Sequence, residues 1–114
     1  MPIKPEITFQ DFEKIDIRTG TIISVSDFPE ARNPSYRLEI DFGALGIKKS
    51  SAQITDLYKK EDLQGKQILA VVNFPKKQIA NFFSDCLVLG VYGEGNKVTI
   101  ITPSLPVKNG SVVG

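Results

Sequence analysis

Aromatic, cationic and short polar residues alternate within one stretch of the chain. Asn73 and Phe74 are followed by Lys76 and Lys77, then by Phe82, Phe83, Ser84 and Asp85. Aromatic rings interleaved with ammonium groups can stack on bases or grip an extended peptide. Asn, Ser and Asp beside them supply donors and acceptors for a backbone or a base edge, and they also suit turn capping. If the segment is extended, adjacent Phe82 and Phe83 point to opposite sides, so one of them is expected to be exposed. Further cations stand in the doublets Lys48-Lys49 and Lys59-Lys60 and at Arg18, Arg32 and Arg37. Lysines of this kind also serve plain surface solubility. Ser50, Ser51 and Gln53 occupy strand positions where apolar residues are expected, and such departures from pattern mark candidate sites.

Covalent and metal chemistry find little footing. The chain has no histidine, which removes Ser-His and Cys-His nucleophilic pairs and every imidazole metal site. Gly93 and Gly95 sit at a turn and do not form a phosphate loop. Acidic residues are scattered singly on polar strand faces, as solvated residues are. No catalytic residue, metal or cofactor is expected, and the residues point to a binding module.

The elements that hold these residues can be read from periodicity. Thr8 with Asp11, and Phe9, Phe12 and Ile15 at helical spacing, predict a short capped helix. Residues 16–26 alternate and are rich in β-branched types, predicting a long strand with a bulge or bend at Gly20. Residues 27–35 contain two prolines and read as a loop. Tyr36, Leu38, Ile40 and Phe42 share one face of the next strand. After a turn at Gly43 to Gly46, a polar strand is expected over residues 47–54 and short helical turns over 55–65. Two apolar runs, Ile68 to Val72 and Cys86 to Val91, predict buried strands, with residues 73–85 as a loop between them. Gly93 to Asn96 turns the chain into a last strand over 97–101. Five or more strands, one helix between the third and fourth, and no βαβ rhythm predict an all-β, five-stranded Greek-key barrel of the OB-fold type.

A chain of 114 residues, 41% hydrophobic, suits a single domain spanning 1–114. Fourteen Lys and Arg against thirteen Asp and Glu leave a net charge of +1, weak attraction for a polyanion unless the charges are segregated. The lone Cys86 lies in an apolar run and reads as a buried thiol. No run approaches the roughly 20 apolar residues of a membrane span, and the start lacks a signal-peptide core, so a cytoplasmic location and no membrane insertion are expected. Residues 102–114 hold Leu105, Val107, Val112 and Val113, too apolar for a solvated tail, and they should dock on this domain or on a second subunit.

Taken in order, several stretches resemble the tRNA-binding domain family, and most closely its CsaA subgroup. They are residues 16–22, 31–38, 48–55, 72–74, 76–80, 82–85 and 88–90. The resemblance implies an OB-fold homodimer whose N-terminal helix (1–15) and C-terminal extension (102–114) build the interface, placing Phe9, Phe12, Leu105, Val107, Val112 and Val113 there. It also implies an export-related chaperone that binds unfolded polypeptides and cooperates with the preprotein translocation machinery, with tRNA as the ligand of its relatives. The chain departs from the wider pattern at Ala80, where glycine is common, and at Ser84-Asp85-Cys86. The candidate peptide- or RNA-binding residues are therefore Arg18, Lys48, Lys49, Ser51, Gln53, Asn73, Phe74, Lys76, Lys77, Phe82, Phe83, Ser84 and Asp85. Near-neutral charge favours peptide over tRNA.

Overall fold

The computed structural model describes residues 1–114. Helix α1 (Phe9–Glu13) opens with a reciprocal cap, in which the Thr8 hydroxyl accepts from the Asp11 N–H and the Asp11 carboxylate accepts from the Thr8 N–H, each at 3.1 Å. There follow β1 (Ile17–Asp27), β2 (Tyr36–Asp41), β3 (Ile47–Ala52), α2 (Lys60–Leu63), β4 (Gln67–Val71), β5 (Lys77–Ile79), β6 (Phe82–Ser84), β7 (Leu87–Val88), β8 (Gly90–Tyr92) and β9 (Val98–Ile100). Neither helix is long and apolar enough to cross a membrane.

Five strands form one antiparallel sheet in the order β3-β2-β1-β4-β7, and β5-β6 and β8-β9 are two-stranded additions to it. The sheet curls until β3 meets the chain between β6 and β7. There the Asp85 N–H donates to the Lys49 carbonyl at 2.9 Å, and the Lys49 N–H donates to Asp85 Oδ1 at 2.6 Å. The result is the expected nearly closed OB-fold barrel. Period-two alternation on β2 sends Leu38 and Ile40 inward, and with Phe42 and Leu63 of α2 they are fully withdrawn from water. Each such side chain contributes about 2–3 kcal/mol of apolar burial.

Three local expectations change. Gly20 is not the bulge: the register slips between Ile22 and Ser24. Gly20 is instead a point of close approach to the barrel interior, since a Cβ there would lie 2.7 Å from Ile40 Cγ2 and 2.8 Å from the Phe42 ring. The run from Cys86 to Val91 is not one buried strand. Cys86 is buried, whereas Leu87 and Val91 are 48% and 56% exposed, because strand alternation continues through the run and the chain changes partners at Leu89. Residues 73–85 are not an open loop, for β5 and β6 make a hairpin within them, with Lys77 opposite Ser84, Gln78 opposite Phe83 and Ile79 opposite Phe82.

The C-terminal segment docks on its own barrel. β1 is paired by β2 only from Thr21 onward, which leaves the edge at Ile17 to Thr19 open. Residues 110–113 take that edge: the Thr19 N–H donates to Ser111 O at 3.0 Å, the Gly110 N–H to Thr19 O at 2.7 Å and the Val113 N–H to Ile17 O at 2.9 Å. Filling an exposed edge in this way removes a template for misassociation.

Candidate functional site

The β5-β6 hairpin projects beside β3 and carries Lys77, Phe82, Phe83 and Ser84 of the residues picked out above. Alternation divides them. Lys77 and Ser84 form a cross-strand pair on one face, as do Ile79 and Phe82, while Gln78 and Phe83 occupy the other. Phe82 is half-buried and meets Phe28 edge-on, with ring centroids 5.4 Å apart. Phe83 is 54% exposed, so it is the free member of the pair. On the Lys77 and Ser84 side a cleft of about 410 Å³ opens, lined by Phe74, Pro75, Lys77, Ser84, Cys86 and Leu87. Phe74 stands at its rim, 55% exposed. The Ser84 hydroxyl donates to the Cys86 carbonyl at 3.1 Å, and Lys77 is in no ion pair. An apolar wall with a cation and a hydroxyl on its edge can hold a hydrophobic side chain and pair with an anionic or carbonyl neighbour.

Three other candidates have polar groups already engaged within the fold. Asn73 ties the start of β1 to the end of β4: its Oδ1 accepts from the Asp16 N–H at 3.0 Å and its Nδ2 donates to the Lys14 carbonyl at 2.7 Å. Arg18 binds Asp16 through Nε at 2.6 Å and the Gly110 carbonyl through Nη1 at 3.0 Å, and the Asp16 hydrogen bond raises its guanidinium pKa further. Asp85 closes the barrel onto Lys49, as described. Ser50, expected beside Ser51, is buried at 1% exposure. Lys49 and Ser51 lie opposite Glu39 and Arg37 on the polar face of the β2-β3 ladder, whereas Lys48 pairs with Ile40 on the inward-turning face and is half-buried. Gln53 and Lys76 are exposed, and neither lines the cleft.

The cleft thus joins Phe74, Lys77 and Ser84 with Pro75, Cys86 and Leu87, which the sequence reading did not single out as site residues. Leu87 escaped notice because it was read as core; the strand period, with Cys86 inward and Leu87 outward, was the available signal. The Cys86 thiol is buried, which pushes its pKa up to about 12 and leaves it neutral and inert.

A second cleft, of about 440 Å³, lies between α1 and the C-terminal segment. Phe9, Phe12, Ile15, Val112 and Val113 line it, with Arg18 and Asn73 also contributing. Phe9 and Val112 are 70% and 68% exposed. Leu105 and Val107 are exposed outside it.

Residues 17–112 match the family model described as "Putative tRNA binding domain". The methionine–tRNA ligase of Parabacteroides distasonis is 34% identical over 112 residues, which is 98% of this chain and 16% of that enzyme. The chain therefore spans about a sixth of the length of the curated relatives it matches. Among solved structures, the chaperone CsaA from Bacillus anthracis superposes with a TM-score of 0.92 at 49% identity, covering 96% of this chain and all of that one. The CsaA chaperone protein from Picrophilus torridus does so with a TM-score of 0.90 at 54% identity and the same coverage. A MetRS-related protein from Pyrococcus horikoshii shares the fold, with a TM-score of 0.87 at 22% identity. This chain belongs to the tRNA-binding domain family and, within it, to the CsaA type.

Proposed function

We propose that the protein is a chaperone that holds unfolded polypeptides in the cytoplasm for secretion and works as a homodimer, with the cleft beside the β5-β6 hairpin as its contact surface. The observation that carries this reading is the cleft itself. Phe74 and Leu87 offer exposed apolar surface, while Lys77 and Ser84 offer a cation and a hydroxyl at hydrogen-bonding reach of a peptide. Phe83 adds a second exposed ring on the opposite face of the same hairpin. Two related structures are described as chaperones, which agrees with this use. The second cleft and the exposed Phe9 and Val112 suit the subunit interface. The test is the suppression of aggregation of a reduced protein, followed by light scattering. Replacing Phe74 and Phe83 together by alanine should lower the apparent affinity at least fivefold with no change in fold. Unchanged suppression would remove this surface from the proposal.

A second reading, tRNA binding, is favoured by the family match and by the exposed lysines at 49, 76 and 77. Phosphate contacts lower log affinity by roughly 0.7–0.9 per log unit of salt for each charge neutralised, whereas apolar peptide contacts give a much flatter dependence. Competition between tRNA and an unfolded polypeptide across a salt series separates the two.

A further inference from the structure

The outer edge of β5 carries main-chain groups that the fold leaves without partners. Asp85 directs its N–H to the Lys49 carbonyl, so odd-numbered residues at β6 turn their main chain toward β3 and even-numbered ones toward β5. The pairs exchanging bonds across the hairpin are therefore Lys77 with Ser84 and Ile79 with Phe82. The N–H and C=O of Gln78, between them, point outward. No main-chain group from Phe74 to Asn81 bonds to the main chain outside the hairpin. The one side-chain bond to this stretch is local, from Gln78 Nε2 to the Ala80 carbonyl at 3.0 Å.

We propose that an extended, acidic segment of the client polypeptide adds to this edge as a third strand, paired through the main chain of Gln78. The proposal rests on the chaperone reading above and says how the client is held. Charge selects the occupant. Between Asn73 and Ser84 there are two lysines and no acidic residue, and the ion pairs of the fold are Lys14 with Asp11, Arg18 with Asp16 and Lys60 with Asp27. Lys76 and Lys77 thus stand unneutralised at the edge. A second copy of the hairpin would bring two more lysines and no carboxylate, whereas an acidic client segment would supply the missing charge. Geometry supplies contacts on both faces. Alternate side chains of an added strand would fall beside Lys77 and the cleft, and the intervening ones beside Gln78, with Phe83 one strand further in on the same face. Recognition through main-chain groups tolerates almost any side-chain sequence, as a binder of many unfolded chains requires.

Binding of a fluorescent, unstructured, glutamate-containing decapeptide, read by anisotropy, tests this. Gln78→Pro removes the outward N–H without taking a ladder donor, a substitution that edge strands accept. It should weaken binding at least tenfold, whereas Gln78→Ala, which keeps the N–H, should change it less than twofold. Against the unaltered protein, N-methylating every second residue of the peptide in one register should weaken binding at least tenfold, and in the alternate register much less. This arm does not depend on the variant folding. Equal binding of both N-methylated peptides and the parent would overturn strand addition while leaving the chaperone reading in place, since the unaltered protein would still hold the peptide. Absence of any binding to the parent peptide or to a reduced protein would remove the chaperone reading and the edge proposal together.

Discussion

Asn73 shows how a polar residue at the end of an apolar strand can be read for a ligand and turn out to be a brace. Both of its hydrogen bonds reach back more than 50 positions, to Lys14 and Asp16. Asn73→Ala should therefore cost about 0.5–1.5 kcal/mol by urea denaturation, because two exposed bonds are lost and water can replace the partner of the Asp16 N–H and of the Lys14 carbonyl. Peptide affinity per folded molecule should stay unchanged. Sequence reading allowed for main-chain bonds at Asn73 only as a local turn cap; partners more than 50 positions away leave no trace in residue type. Cys86 was more legible: an isolated thiol in an apolar run reads as buried, and it is 5% exposed. Its pKa, raised from 9.0 to about 12, carries a pH dependence. The unfolded chain loses the thiol proton near pH 9 and the folded one keeps it until about pH 12. Over that window the unfolded state binds fewer protons, so this group's contribution to stability falls as pH rises, by about 1.4 kcal/mol per unit. Urea titrations between pH 8.5 and 10.5 should show a steeper decline for the unaltered protein than for Cys86→Ala.

At the scale of elements, patterning worked wherever burial was one-sided. Tyr36 to Phe42 alternates strictly, and the structure follows it residue by residue. The β5-β6 hairpin was hidden for the opposite reason: strands of three residues are too short to show a period, β5 has lysine and glutamine at two of its three positions, and the turn between the strands lacks glycine. Ala80 holds that turn with φ at 52°, in the left-handed region where a Cβ is strained by about 1 kcal/mol. Ala80→Gly should relieve this and raise stability by a similar amount, offset in part by the greater freedom of glycine when unfolded. A higher urea midpoint at constant m-value is the expected result, and a lower midpoint would show that the alanine methyl group stabilises the hairpin. Gly20 offers a contrast, since its glycine answers to space and not to backbone angle. Gly20→Ala should destabilise the barrel by about 1–3 kcal/mol through contact with Ile40 and Phe42.

Across the whole molecule, the barrel class was readable from the count and order of strands, but its closure was not. Closure depends on Asp85 meeting Lys49 and on residues 110–113 meeting β1, long-range pairings that periodicity does not record. Deleting residues 107–114 should cost at least about 3 kcal/mol, since it removes several hydrogen bonds to Ile17, Thr19 and Gln67 and exposes Thr19, now 4% exposed. Chemical denaturation with size-exclusion chromatography would register both the loss and any association through the bare strand. The same docking has a consequence in time. Arg18 and Gly110 are 92 residues apart, so during synthesis β1 leaves the ribosome long before the segment that covers its edge. Until that segment arrives, the nascent chain has an uncovered strand edge of the kind that invites pairing with other unfolded chains. A protein proposed to guard others at that stage passes through it unguarded, and its folding should be slow for its size because this contact must close so large a loop.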